Sequence, residues 1–138
     1  MKLNDFITRI PHTGESDAEI AAIVYDSRKA KAGTLFVCLV GAWADGHTYA
    51  QSAYDNGCRA FLCEHTVNLP ADAVQILTPD TRAALAVIGA DFYGNPAEKL
   101  HLIGITGTKG KTTTALLTAA ILSESGLPCA YIGSNGVN

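Results

Sequence analysis

The most specific chemistry in this 138-residue chain is carried by Gly104-Ile105-Thr106-Gly107-Thr108-Lys109-Gly110-Lys111-Thr112-Thr113. These residues lie between an apolar run, Leu100 to Ile105, and a stretch of helical pattern that begins at Lys111. Glycines at such a junction let the backbone turn tightly and aim several N–H groups inward, which makes a nest for phosphate oxygens. Lys111, in the first helical turn, can set its ammonium on the outer phosphates. The Thr112 hydroxyl is placed for the Mg²⁺ that bridges phosphates in such sites. The general pattern GxxxxGK[ST] asks for glycine at position 105, where this chain has Ile105 between Gly104 and Gly107, so the loop is a P-loop variant. A plain glycine-rich turn before an ordinary helix is the competing reading. Strand, loop, Lys-Thr pair and helix in that order favour phosphate binding.

The other reactive side chains show no such pattern. Cys38, Cys58, Cys63 and Cys129 each lie in apolar surroundings and none belongs to a CxxC pair, so they are expected as buried reduced thiols. His12, His47, His65 and His101 have no metal-ligand spacing and no adjacent nucleophile.

The elements that must position the loop follow from periodicity. Leu3, Phe6, Ile7 and Ile10 form one helix face, ended by Pro11. Ile20–Tyr25 and Leu35–Val40 read as strands around a charged, glycine-containing connection, and His47–Asn56 as a helix stopped by Gly57. Arg59–Cys63 and Val74–Leu77 are further strands. A helix to Phe92 is predicted to open on Thr78-Pro79-Asp80, with Thr78 as cap. Tyr93-Gly94-Asn95-Pro96 interrupts any regular element and marks a domain boundary. Beyond it come a strand at Leu100–Ile105, the glycine-rich loop, a helix at Lys111–Ser125 and a strand at Cys129–Ile132. The fold class is therefore α/β, with domains at 1–95 and 96–138.

Composition narrows the function. Apolar residues make up 48% of the chain, enough for a packed core, and the net charge is −3 with no run of Lys or Arg. A broad nucleic-acid face is thereby excluded. No stretch approaches the ~20 apolar residues of a membrane span, and the first residues lack a signal-peptide pattern, so a cytoplasmic protein with no membrane partner is expected.

Gly107-Thr-Lys-Gly-Lys-Thr-Thr113 resembles the GTxGKTT loop of the Mur ligases and their folylpolyglutamate synthetase relatives. Asp26-Ser27-Arg28, Gly33-Thr-Leu-Phe-Val37, Gly41, Asp45-Gly46-His47 and Gly57-Cys-Arg-Ala60 resemble the UDP-sugar-binding domain of the muramyl-tripeptide and muramyl-pentapeptide branches of the Mur ligases, a domain the synthetases lack. Phe92-Tyr93-Gly94-Asn95-Pro96 and Tyr131-Ile132-Gly133 look more like the branch that adds the third amino acid than the pentapeptide branch.

The resemblance implies a UDP-MurNAc-binding domain at 1–95, followed by the first strand, P-loop, helix and strand of an ATP-binding central domain at 96–138. It implies a magnesium- and ATP-dependent ligase of peptidoglycan synthesis, hence of cell-wall biogenesis, cell shape and division. That ligase joins meso-diaminopimelate or L-lysine to UDP-MurNAc-L-Ala-D-Glu through an acyl phosphate. Carried over residue by residue, Gly107, Thr108, Lys109, Gly110, Lys111, Thr112 and Thr113 hold ATP, Lys111 is the catalytic cation and Thr112 a metal ligand. Tyr25, Ser27, Ala42, Trp43 and Ala44 hold the UDP end. Trp43 can stack on uracil or simply cover apolar surface. Asp26 can simply close a turn, Arg28 can be solvated, and Asp45 with His47 is expected to organise its loop and cap the next helix.

Mur ligases are several times longer than this chain, so the 138 residues alone are expected not to ligate. Residues 99–138 are near the limit for independent folding and are expected to pack on the first domain or self-associate. A UDP-MurNAc-pentapeptide ligase, a non-catalytic UDP-sugar or nucleotide-binding module, and an unrelated P-loop ATPase remain as alternatives.

Overall fold

The computed structural model describes residues 1–42, 44–134 and 136–137, which form two compact units, Met1–Lys99 and Leu100–Asn138. In chain order the first unit contains α1 (Leu3–Ile7), β1 (Ala22–Val24), β2 (Thr34–Val37), α2 (Ala50–Asp55), β3 (Ala60–Cys63), β4 (Val74–Leu77) and α3 (Thr81–Phe92). Short 3₁₀ turns lie at Ser27–Lys29, Gly46–Tyr49 and Pro96–Lys99.

The four strands make one parallel sheet in the order β1-β2-β3-β4. Every residue of β2 and β3 is buried, as the continuous apolar runs Thr34–Val37 and Ala60–Cys63 require of central parallel strands. Alternation along each strand divides the core. Leu35, Val37, Ala60, Leu62 and Ile76 pack with Leu3, Phe6 and Ile7 of α1 and Ala84 and Ile88 of α3. Phe36, Cys38, Phe61 and Cys63 point to the opposite face, against Ala50 and Ala53 of α2. Burying one side chain of the Leu, Ile or Phe size contributes about 1.5–3 kcal/mol, so this double-sided core is the main stabilising element of the unit.

The β4 edge is covered by the chain after α1. Thr13 and Leu77 exchange both backbone hydrogen bonds at 2.9 Å. This approach depends on Gly14, where φ is +95° and an added Cβ would come within 2.7 Å of the Gln75 carbonyl oxygen.

Three departures of the first unit's elements from the sequence expectation have a local physical cause. Regular α1 ends at Ile7, and Ile10 stays buried at the end of a looser turn, since the residue before Pro11 is disfavoured in the α region. The first turn of the expected His47–Asn56 helix is 3₁₀, with Asp45 rather than a helical residue accepting the His47 N–H. The cap of α3 is Asp80, whose Oδ1 accepts the N–H groups of Arg82 and Ala83 at 2.9 Å. Thr78 instead prolongs the sheet register, donating its N–H to the Cys63 carbonyl at 2.9 Å.

The second unit contains α4 (Lys111–Glu124) and a two-stranded antiparallel hairpin, β5 (Ile132–Gly133) with β6 (Gly136–Val137). Gly126 adopts φ +81° just after α4, the left-handed stop that glycine favours. The strand expected at Leu100–Ile105 pairs with nothing among the described residues, and Leu102 is 71% exposed. A strand exists through the ladder that satisfies its backbone groups, and an apolar run alone does not supply one. The strand expected at Cys129–Ile132 is laddered only from Ile132, and Cys129, expected buried, is exposed. No residue of α4 is buried.

Candidate functional site

The glycine-rich loop enters α4 through two glycines in the positive-φ region, Gly107 at +151° and Gly110 at +79°. An added Cβ would meet no atom within 4 Å at Gly110 and only the Lys109 oxygen, at 3.7 Å, at Gly107. Backbone conformation, not crowding, is thus what asks for glycine here. Gly110 is the N-cap of α4 and brings no capping side chain. The first backbone bond of the helix is Thr114 N–H to Gly110 C=O at 2.9 Å, so the N–H groups of Lys111, Thr112 and Thr113 have no helical acceptor. Lys111 folds its ammonium back over the loop and donates to the Gly107 carbonyl at 2.6 Å. A cation, uncapped N–H groups and a helix N-terminus directed at one place suit the oxygens of a polyphosphate. Thr112, half-buried in the first turn, has a hydroxyl oxygen of the kind that can ligate a hard cation.

In the first unit the polar residues singled out from the sequence follow the carboxyl ends of parallel strands, the edge where open α/β sheets bind ligands. Tyr25 directly follows β1 and is 67% exposed. Ser27 opens the next 3₁₀ turn; its carbonyl accepts the Asn56 Nδ2 donor at 2.9 Å. Asp26 caps that turn through the Arg28 N–H at 3.0 Å and takes a two-pronged bond from the Arg28 guanidinium at 2.9 and 2.8 Å. The side-chain bonds from Arg28, aided by its backbone N–H, hold the Asp26 carboxyl down at about 2. Arg28 is therefore paired, although 87% of its side chain remains open to solvent.

After β2 the chain makes a tight reversal. Val40 and Asp45 form an antiparallel bridge, the Gly41 N–H donates to the Ala44 carbonyl at 2.9 Å, and Ala42 and Ala44 are exposed at the tip. Trp43, expected to stack on a base, lies outside the described residues. Gly46 lets the return limb lie against the end of β2, since a Cβ there would come within 2.6 Å of the Leu39 nitrogen.

His47 then turns into the protein, 6% exposed. Its Nδ1 pairs with Asp45 Oδ1 at 2.5 Å, and its Nε2 accepts the Glu64 N–H at 2.9 Å. Glu64 Oε1 in turn accepts from the Thr81 N–H at 3.0 Å and bonds the Thr81 hydroxyl at 2.9 Å, at the start of α3. Backbone and side-chain hydrogen bonds from His47 lower the Asp45 carboxyl below its ordinary value. The turn after β2 is thereby tied to the ends of β3 and α3. This network joins residues 45, 47, 64 and 81, and no local spacing announces it. Its one sequence signal is a His placed directly after Asp-Gly at a helix entry.

A family model described as "Mur ligase family, catalytic domain" matches residues 19–93, all in the first unit and before the glycine-rich loop. The chain is 42% identical over 137 residues to a UDP-N-acetylmuramoyl-L-alanyl-D-glutamate--2,6-diaminopimelate ligase of Syntrophomonas wolfei, which covers 97% of this chain and 28% of the relative. It is 44% identical over 123 residues to the ligase of the same name from Clostridium botulinum, covering 87% of this chain and 26% of that one. The chain thus spans little more than a quarter of the length of these relatives. Among solved structures it resembles MurF from Acinetobacter baumannii, with TM-score 0.64 and 36% identity over 76% of this chain and 22% of that one. It also resembles a UDP-N-acetylmuramoyl-L-alanyl-D-glutamate--2,6-diaminopimelate ligase, with TM-score 0.64 and 28% identity over 86% of this chain and 24% of the other. MurF from Thermotoga maritima in complex with ADP matches at TM-score 0.56 and 26% identity, over 78% of this chain and 24% of that one.

Proposed function

The chain belongs to the Mur ligase family, and from that premise we propose that it carries the nucleotide-sugar end and the opening of the ATP site of the ligase that adds 2,6-diaminopimelate to UDP-MurNAc-L-Ala-D-Glu. The observation that carries the reading is the loop geometry, with Lys111 Nζ lying over Gly107 at the uncapped start of α4. The choice of third residue is supported by the names and the 42% and 44% identities of the relatives from S. wolfei and C. botulinum.

In this reading residues 1–95 bind UDP-MurNAc. Tyr25, Ser27 and the Ala42–Ala44 turn hold the UDP end from the carboxyl edge of the sheet. The segment 96–138 brings the loop that receives ATP, a reading supported by the likeness of the chain to T. maritima MurF, a protein seen in complex with ADP. Lys111 and the loop N–H groups neutralise charge as the γ-phosphoryl moves to the D-Glu carboxylate, giving an acyl phosphate and ADP. Mg²⁺, held in part by Thr112, would supply further neutralisation between the phosphates. The amine of the diamino acid then attacks the acyl carbon, an amide forms and phosphate leaves. Residues 1–138 alone are expected to bind the nucleotide sugar without turning it over.

Calorimetric titration of the chain with UDP-MurNAc-L-Ala-D-Glu tests the first half of this reading. Binding that weakens at least tenfold in Ser27→Ala and Ala42→Arg supports it, and wild-type affinity in both variants overturns the assigned edge. Release of ADP by this chain that depends on dipeptide and diamino acid together would contradict the lack of turnover. The A. baumannii MurF match favours one alternative, the pentapeptide ligase, which predicts turnover with the tripeptide precursor and D-Ala-D-Ala by the ligase containing these residues.

A further inference from the structure

On the α2 face of the sheet two thiols and an imidazole converge at the carboxyl ends of β2 and β3. Val37 and Leu62 are register partners, so the residues that follow them, Cys38 and Cys63, stand side by side. Both are fully buried, with their Sγ atoms 3.6 Å apart. The 3₁₀ turn at Gly46–Tyr49 lowers His47 onto them. One ring nitrogen of His47 and the two sulfurs all lie within 4.8 Å of one another.

We propose that Cys38, His47 and Cys63 form a site for a thiophilic d¹⁰ cation, Zn²⁺ first among them, which ties the 38–47 loop to β3. The donor set is the one such ions select, two thiolates and a neutral imidazole. The spacing also agrees. Bonds of about 2.3 Å directed to the corners of a tetrahedron place two sulfurs about 3.8 Å apart, and the pair already stands at 3.6 Å. His47 is oriented as metal-bound histidines are, with Nδ1 against the Asp45 carboxylate at 2.5 Å, which assigns its N–H to that side and leaves the lone pair on Nε2. Nε2 now accepts the Glu64 N–H at 2.9 Å, a hydrogen bond that the ion would replace.

Cys58, the other buried thiol of this face, is held apart from the cluster. Its Sγ contacts the Thr34 and Ala60 carbonyls at 3.1 and 3.2 Å. On the Nδ1 side of His47 the cluster borders solvent-exposed groups: 44% of the Asp45 side chain is exposed, and the exposed His65 ring stacks on His47 at 4.0 Å. Donor atoms of Asp45, His47 and His65 also lie within 4.8 Å of one another, so carboxylate and imidazole groups border the cluster on that side. On binding, both S–H bonds break and two protons pass to solvent. Two metal–sulfur bonds and one metal–nitrogen bond form, and no electron is transferred.

The test uses the whole chain, reduced and metal-free, titrated with Co²⁺ under anaerobic conditions. One equivalent is expected to bind, with a thiolate-to-cobalt charge-transfer band in the near ultraviolet and the intense visible bands of a tetrahedral ion. Zn²⁺ should displace it and raise the melting temperature. Cys38→Ala and Cys63→Ala should each lose the charge-transfer band, and Cys58→Ala and Cys129→Ala should keep it. Absence of the band in the wild-type chain with its thiols titrated as free overturns the proposal, whatever the variants do. So does a band that survives in Cys38→Ala and Cys63→Ala and disappears in Cys129→Ala, whose thiol is exposed.

Discussion

The two units of this chain solve the problem of a parallel α/β arrangement to different degrees. In Met1–Lys99, β2 and β3 are flanked on both sides by other strands and covered on both faces, so every one of their residues is buried. In Leu100–Asn138 a largely apolar run, Leu100 to Ile105, has no ladder among the described residues, and α4 exposes Leu117 and Ile121 by 60% and 66%. Apolar sequence therefore encodes the tendency to be a strand, and the neighbouring strands decide whether it becomes one. The chemistry is divided in the opposite sense. The less buried unit holds the candidate phosphate loop, and the well-packed unit supplies the sheet edge that carries the candidate nucleotide-sugar residues.

The contrast should break most visibly at Phe61, a fully buried ring in edge-to-face contact with Phe36 at 6.1 Å between centroids. Phe61→Ala is expected to cost about 3–5 kcal/mol, read as a lowered urea midpoint. Leu117→Ala, in the exposed helix, should change the same midpoint by no more than about 0.5 kcal/mol. Equal losses from the two substitutions would mean that α4 is buried in solution and that the contrast between the units is wrong.

Next in size is the reverse experiment, which removes chemistry and spares stability. Lys111→Ala is expected to lower turnover of the ligase containing these residues by about 10²- to 10³-fold, the scale seen when one charge-stabilising donor is lost. The melting of the chain should stay unchanged, because Lys111 is exposed and the bond its side chain makes among the described residues goes to the Gly107 carbonyl of its own loop. A fall in melting temperature comparable to that of a core variant would show that the lysine holds the loop together instead of serving a phosphate.

A smaller effect separates the two helix starts. Asp80 caps α3 with two bonds at 2.9 Å, whereas α4 starts at Gly110 with no side-chain cap. Asp80→Ala should cost about 1 kcal/mol in the denaturation of the first unit. Gly110→Asp, which offers α4 a cap, should fail to stabilise it, since φ at that position is +79° and a side chain there is strained. A stabilised Gly110→Asp would show that the loop takes another conformation in solution.

Much of this was legible in the sequence, and the gaps have physical causes. Strand β4 and the bodies of α3 and α4 coincide with the periodic segments because each has a local pattern and local stops. The cap of α3 was misplaced at Thr78 because Thr78 and Asp80 are both good capping residues. Only the sheet register, which engages the Thr78 N–H with Cys63, chooses between them. The unladdered run at Leu100 was misread because periodicity reports one strand while pairing needs two. From sequence Cys38 and Cys63 read as isolated buried thiols and His47 as a loop-organising residue, because what joins the three is the alignment of β2 with β3 and a tight turn at Gly46. Neither leaves a spacing motif.

The smallest expected effect concerns the edge residues of the first unit and depends on pH. Asp26 titrates at about 2, held there by the Arg28 guanidinium and N–H, against about 3.9 for an unfolded aspartate. A depressed carboxyl stabilises the fold fully above the unfolded value and loses that contribution as pH falls toward the folded one. Melting temperatures of the wild-type chain and Asp26→Asn should therefore differ most above pH 5 and converge between about pH 4 and pH 2. The amide can still cap the Ser27–Lys29 turn, so the difference isolates the Arg28 pair. Since that pair is solvent-exposed, the difference should also shrink when salt is added. A gap between the two proteins that persists unchanged down to pH 2 would mean that Asp26 acts through the shape of the turn and not through its charge.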